Sequence, residues 1–116
     1  MLIRLKNKDT LNIDEFSFKC SIGKNGLKSK KVEGDFCTPK GSFLLKKLYY
    51  RSDRFKKIIT VLPKIKIKKN MGWCNDPRHK QYNSLIKATK KIKHEKMFRI
   101  DRKYDLVIVL DYNLNK

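Results

Sequence analysis

Apolar and polar residues alternate along much of the chain, and this alternation predicts strands. Over residues 13–22 the apolar side chains of Phe16, Phe18 and Cys20 occupy every second position, which is typical of a strand with one buried face. Further short strands are predicted at residues 2–5, 42–50, 58–62 and 65–67.

Two connecting segments have a different composition. Residues 70–83 are rich in Gly, Asp, Pro and Asn, and they predict a loop. Residues 84–93 are compatible either with a turn of helix or with a basic loop. The sequence from Gly23 to Gly26 contains Asn-Gly, which tolerates a positive φ and predicts a turn.

The most apolar element is the near-continuous β-branched run from Tyr104 to Tyr112. Such a run is typical of a strand that is covered on both faces. Because a long exposed apolar edge promotes aggregation, we expect neighbouring strands on both sides of it. If a neighbour is missing, we expect self-association through the exposed edge.

Charge is the most unusual property of the composition. The 116 residues include 30 Lys+Arg and 11 Asp+Glu, a formal net charge of +19. Such a charge is compatible with nucleic acid, with an anionic envelope polymer or with a membrane surface. The cations are 24 Lys and only 6 Arg, however, whereas nucleic-acid readers rely on Arg. The lysine bias resembles drift towards A/T-rich codons, so nucleic acid is an unlikely partner.

Candidate nucleophiles and bases are few. The chain has three cysteines and two histidines, and they do not have the spacing of a metal site. We therefore expect neither a metal nor another cofactor. A Cys/His dyad remains an alternative, because such pairs assemble in space rather than in sequence. The residues concerned are Cys20, Cys37, Cys74, His79 and His94.

Three places could line a binding cleft. Residues 49–54 put two tyrosine rings beside Arg51 and Arg54, which indicates either a stacking platform or a strand end with solvated arginines. Trp73, the only tryptophan, either lines a cleft or fills the core. His94 and Glu95 form a polar pair at a cleft or at an ordinary surface.

Taken in order, several segments resemble the YkuD-type L,D-transpeptidase catalytic domain. The Gly-Asp-x-x-Thr-Pro-x-Gly-x-Phe pattern of that family matches residues 34–43. The later matches resemble one bacterial subgroup and span nearly the whole chain. They comprise residues 48–54, 72–77, 82–83, 94–99 and 104–113, whereas residues 20–23 with Gly26 resemble the start of the family's catalytic domain.

The resemblance implies a mainly β fold, a sandwich or barrel-like arrangement with little helix. It also implies acyl transfer on peptidoglycan, with the stem peptides as partners. In the family a cysteine attacks the stem peptide and expels D-alanine. An amine of another stem then resolves the thioester and cross-links the cell wall.

The departure from the family concerns catalysis. The family's catalytic His and Cys follow the strand that here spans residues 106–112, and the chain ends at Lys116. We therefore expect residues 1–116 to be a single, partial catalytic domain without activity, and we carry over no catalytic residue. Conjectural cleft residues are Arg51, Arg54, Trp73, His94 and Arg99. A basic, non-catalytic binding module for peptidoglycan or nucleic acid is the alternative.

The family's location is the cell envelope or periplasm. The N-terminal residues show no secretory signal, so a cytoplasmic location is the alternative. No apolar run approaches the roughly 20 residues that a membrane-spanning helix needs.

Overall fold

Strands are the only regular elements among residues 2–29 and 32–113, the part of the chain that the computed structural model describes. The predicted mainly β class is therefore confirmed. None of these residues forms a helix long and apolar enough to cross a bilayer. The chain divides into two compact units, residues 1–42 and 43–116, and each is described by itself.

The first unit begins with a three-stranded antiparallel meander. Its strands are β1 (Ile3–Asn7), β2 (Thr10–Ile13) and β3 (Phe16–Lys19), in that order. The prediction of one strand over residues 13–22 was wrong, because the chain reverses at Asp14 and Ile13 pairs with Phe16. Asp14 has φ of 51°, in the left-handed region that Asp adopts more readily than most residues.

The predicted turn at residues 23–26 is confirmed. Gly26 has φ of 84°, and its amide donates to the Gly23 carbonyl at 2.8 Å. The turn leads into β4 (Leu27–Lys28), which pairs in parallel with β5 (Thr38–Pro39). A Cβ on Gly23 would lie 2.3 Å from the Phe36 carbonyl oxygen, so this position requires glycine.

The second unit contains two three-stranded sheets. In the first sheet, β6 (Leu45–Tyr50) lies between β7 (Lys64–Lys66), which is parallel to it, and β11 (Leu106–Leu110), which is antiparallel. The strands predicted at 42–50 and 104–112 are therefore present with shorter bounds, and the strand predicted at 65–67 is present but shifted by one residue. Within the described residues β11 is an edge strand, so the expected neighbour on its second side is not observed.

The exposure of β11 follows from that edge position. Val109 is buried, whereas Leu106 and Ile108 on the other face are about half exposed. The expectation that both faces would be covered was therefore wrong for the described part of the chain. The alternating burial is that of a half-buried strand.

Residues 58–62 do not form the predicted strand. They lack a ladder partner in the described structure, and Ile59 and Val61 are 88% and 103% exposed. Pairing with β6 begins only at Pro63, whose carbonyl accepts from the Leu48 amide at 2.9 Å. Apolar β-branched composition was insufficient here because strand formation also needs pairing, and none of the described strands pairs with this segment.

The second sheet has β8 (Met71–Cys74) at its centre, flanked by β9 (Leu85–Lys87) and β10 (His94–Lys96). Both pairings are antiparallel. The loop predicted over residues 70–83 was thus wrong for Met71–Cys74. Residues 84–93, left open between a helical turn and a basic loop, contain strand β9 instead.

The core of the second unit lies between its two sheets. Its fully buried members are Tyr49, Ile67, Met97 and Val109. Partly buried Trp73 packs edge-on against Tyr49, with ring centroids 6.1 Å apart. Aromatic pairs in this geometry stabilise beyond the area they bury. The packing of Tyr49 on Trp73 therefore holds the two sheets together. These sheets carry the residues of the candidate site.

We predict that Ile67→Ala destabilises the protein far more than Ile100→Ala. Ile67 is 4% exposed in the core, so its truncation removes buried methyl groups and leaves a cavity that costs about 2–5 kcal/mol. Ile100 is 98% exposed, and its truncation should change the free energy of unfolding by less than about 0.5 kcal/mol. Urea unfolding measures both, and equal effects would contradict the assigned core.

Candidate functional site

Arg51 is the most deeply placed charged residue of the site. It follows β6 directly, and its amide donates to the Asp105 carbonyl at 3.0 Å, which continues the pairing with β11. The side chain is 4% exposed and stacks on the Phe98 ring, with the guanidinium carbon 3.6 Å from the centroid. Nε and Nη2 donate to the Asp53 carboxylate at 2.9 and 2.8 Å, and Nη1 donates to the Arg99 carbonyl.

Arg54 holds the chain that leads into β11. Its guanidinium donates to the carbonyls of Asp101 and Ile100, each at 2.8 Å. The same group forms an ion pair with the Asp105 carboxylate. A planar guanidinium has five donors in a fixed fork, so one side chain can fix several carbonyls at once. Arg54 therefore sets the conformation of residues 99–105.

Two further arginines lie on that same segment and are more accessible. Arg99 makes a bidentate contact with Asp101, at 2.9 Å through Nε and 2.6 Å through Nη2, and its side chain is 34% exposed. Arg102 is 79% exposed and contacts Asp105 at 3.1 Å. The four arginines and their three aspartates are called the arginine cluster below. Its members are Arg51, Arg54, Arg99 and Arg102 with Asp53, Asp101 and Asp105.

Two pairs of the arginine cluster, Arg51 with Asp53 and Arg99 with Asp101, have pKa values that favour their ionised forms. The hydrogen bond from Arg99 lowers the pKa of Asp101 to about 2. The hydrogen bond from Arg51 lowers the pKa of Asp53. The same hydrogen bonds raise the pKa values of the two arginines. The stabilisation by these carboxylates is present above their unfolded pKa and is lost only as the pH falls towards the folded value.

Tyr104 joins the arginine cluster to the second sheet. Its hydroxyl donates to Glu95 Oε2 at 2.5 Å, and the Arg99 guanidinium lies 5.6 Å from its ring centroid. Burial, followed by the hydrogen bond to Glu95, raises the pKa of Tyr104 to about 12. The phenol therefore stays protonated and donates to the carboxylate over the whole physiological range.

Trp73 and His94 lie on the second sheet rather than in the arginine cluster. Trp73 pairs across strands with Glu95, and its Nε1 donates to Asn83 Oδ1 at 3.0 Å. His94 Nδ1 lies 2.7 Å from the Ile92 carbonyl, which only accepts, so Nδ1 carries the proton. The ring covers Gly72, where an added Cβ would lie 2.6 Å from His94 Cδ2.

The cysteines are all free thiols. Cys74 lies directly opposite His94 in the pairing of β8 with β10, but it is completely buried. A buried thiol behaves as a small apolar residue unless a base and a route for substrate reach it. Cys20 and Cys37 belong to the first unit. Among the described residues no group of three His, Cys, Asp or Glu side chains could hold a metal ion.

A shallow cavity of about 510 Å³ lies beside β9. Its lining is mixed apolar and polar and includes no member of the arginine cluster. The lining residues are Gln81, Ile86, Lys87, Ala88, Thr89 and Ile92.

The structure therefore brings together three of the five residues singled out in the sequence. Arg51, Arg54 and Arg99 meet although the first two lie about 45 positions from the third. Trp73 and His94 lie on the second sheet, which the Glu95–Tyr104 contact joins to the arginine cluster. The aspartate partners of these arginines were not predicted from the sequence. An available signal was the local pairing of arginine and aspartate in Arg-x-Asp at residues 51–53 and 99–101.

Comparison of the chain with family models, with curated proteins and with solved structures gives no match. The resemblance to the L,D-transpeptidases accordingly stays a prediction from the residues quoted above.

We predict that the phenol of Tyr104 titrates near pH 12, against about 10 for an exposed tyrosine. Its folded pKa is raised, so its stabilising contribution is complete below pH 10 and is lost as the pH rises through 12. Tyrosinate absorbance of the wild type minus that of Tyr104→Phe isolates this titration. Glu95→Gln should lower the midpoint, and a wild-type midpoint near 10 would contradict the contact.

Proposed function

We propose that this chain carries the substrate-facing scaffold of a YkuD-type L,D-transpeptidase domain and that it binds the stem peptides of peptidoglycan. The observation that carries the proposal is the convergence of segments that are remote in sequence. Residues 48–54, 94–99 and 104–113 each belong to the resemblance. Their side chains meet in the arginine cluster and its link to Glu95.

The cluster supports the proposal because its arginines divide into two roles. Arg51 and Arg54 have their donors directed at protein carbonyls and carboxylates, so they position residues 99–105. Arg99 and Arg102 keep exposed guanidinium surface. A guanidinium fork matches the geometry of a carboxylate, and stem peptides carry carboxylates. We assign these two residues to substrate contact.

No residue is assigned to the nucleophile or to the base. Cys74 is buried, and the His94 proton on Nδ1 is directed at a backbone carbonyl. In this proposal the chain binds and orients the stem peptide without performing the covalent step. The proposed place of action is the cell envelope, where peptidoglycan lies.

We predict that the purified chain co-sediments with peptidoglycan sacculi at low salt. Arg99→Ala combined with Arg102→Ala should weaken the binding about tenfold, because charge-assisted hydrogen bonds to carboxylates are lost. Lys90→Ala combined with Lys91→Ala removes the same charge from two exposed lysines outside the arginine cluster. This control should retain most of the binding.

Two results would overturn the proposal. Absence of sacculus binding at low salt would show that peptidoglycan is not a partner. Equal losses of binding in the two double variants would show that net charge alone explains the interaction. A nucleic acid that competes fully with sacculi would favour the basic binding module instead. Incubation with tetrapeptide stems should release no D-alanine, and any release would refute the assignment of no catalytic residue.

We also propose that two copies of the chain associate through β11. The Asp105 carbonyl is directed at β6, so by antiparallel alternation the backbone groups of Leu106, Ile108 and Leu110 face away from it. In the described part of the chain that side has no partner. Antiparallel pairing centred on Ile108 would join two equivalent edges, with Leu106 of one copy opposite Leu110 of the other.

Light scattering during size exclusion should then give a mass of twice 13.8 kDa for the wild type. Ile108→Lys places a charge on the paired edge, and we predict that it yields the monomer. Ile100→Lys adds the same charge to an exposed loop and should leave the dimer intact. A monomeric wild type at all concentrations would refute the association.

A further inference from the structure

Residues 54–75 contain cations but no anion. No acidic residue occurs between Asp53 and Asp76, whereas this segment contains Arg54 and six lysines. Arg54 is bound to Asp105, so the lysines carry the free charge. All six are exposed, and within the described residues none forms an ion pair. They are Lys56, Lys57, Lys64, Lys66, Lys68 and Lys69.

The same segment exposes two large aliphatic side chains. Ile59 and Val61 are 88% and 103% exposed, while the alternating neighbours Ile58, Thr60 and Leu62 are half-buried. The Thr60 hydroxyl accepts from the Leu62 amide at 3.0 Å, which shapes the turn at the tip. Ile59 and Val61 lie on either side of half-buried Thr60, and both side chains are open to solvent. We call residues 58–62 the aliphatic tip.

Positive charge lies at the base of the aliphatic tip. Lys64 Nζ donates to the Ile58 carbonyl at 3.0 Å, which holds one ammonium group there. Lys56 and Lys57 precede the tip directly along the chain. Lys64 and Lys66 lie on the opposite face of β7 from Ile65, which packs against the core. The tip is therefore flanked by lysines on both sides in sequence.

This combination matches the interface of an anionic bilayer. Aliphatic side chains are stabilised when they enter the acyl boundary, and lysines beside them interact with lipid phosphates. Nucleic acid fits less well, because it would leave Ile59 and Val61 exposed. Phe55, the only aromatic residue of 54–69, is half-buried and therefore poorly placed to stack on a base.

We propose that the aliphatic tip docks onto the surface of anionic phospholipid membranes. Ile59 and Val61 enter the acyl boundary, and the six lysines lie at the level of the phosphates. The interaction is independent of the arginine cluster and of peptidoglycan. It would hold the chain at a membrane surface.

Flotation with vesicles tests the proposal on the full chain. Vesicles of phosphatidylcholine alone should not bind, and vesicles that also contain phosphatidylglycerol should bind. Ile59→Ser combined with Val61→Ser should weaken binding about tenfold or more, because two aliphatic side chains no longer enter the bilayer. Lys56→Gln combined with Lys57→Gln should weaken vesicle binding by slightly more than about fivefold for each lysine. The combined loss should be about thirtyfold.

Matched controls separate the tip from general charge and apolarity. Leu44→Ser changes another exposed aliphatic residue, and Lys90→Gln with Lys91→Gln removes two exposed lysines elsewhere. Both should bind nearly as the wild type does. Thermal melting should be unchanged in every variant, since all the altered side chains are exposed.

The Ile59→Trp variant measures how deeply the aliphatic tip enters the bilayer. Lipids brominated in the acyl chain should quench this variant more strongly than they quench the wild type, whose Trp73 is half-buried. The proposal is overturned by absence of binding to anionic vesicles, by equal binding of the Ile59/Val61 variant, or by tighter binding of the chain to DNA that depends on the same lysines. Loss of sacculus binding in the arginine variants would leave vesicle binding unaffected.

Discussion

The buried guanidinium of Arg51 is the constraint on which the second unit depends. A cation that is 4% exposed is tolerated only when its donors are satisfied, and here Asp53 and the Arg99 carbonyl accept from it. Its flat face rests on Phe98. One side chain thus connects the end of β6 to the segment after β10. Arg54 then fixes the conformation of residues 99–105 through their carbonyls. In that conformation the side chains of Arg99 and Arg102 are accessible to solvent.

Apolar composition was sufficient to predict the strands whose neighbours are also in the sheet. β6 and β11 are apolar and find each other, so the predicted strands at 42–50 and 104–112 exist with shorter bounds. Residues 58–62 have equal β propensity but pair with none of the described strands. Met71–Cys74 is the converse case, because a segment with loop composition becomes the central strand between two others. Pairing partners, not local composition, decided both outcomes.

The site was only partly accessible to sequence reasoning. Arginine is rare in a chain whose cations are mostly lysines. The three arginines that were singled out, Arg51, Arg54 and Arg99, do meet. The burial of these arginines could not be predicted, because it depends on which aromatic ring and which backbone carbonyls the fold brings near them. Tyr104 was read only as the start of a strand. Its contact with Glu95 joins positions nine residues apart, and no local sequence pattern predicts that contact.

The contacts of Arg54 also affect how the sheet edge can open. Arg54 is held by Asp105, immediately before β11, and the Arg51 amide donates to the carbonyl of that same residue. Separation of β11 from β6 would therefore release the segment 99–105 at the same moment. Strand fraying and loop opening become one cooperative event with one free energy. Any partner that covers the β11 edge would also lower the rate at which that loop exchanges its amide protons with solvent.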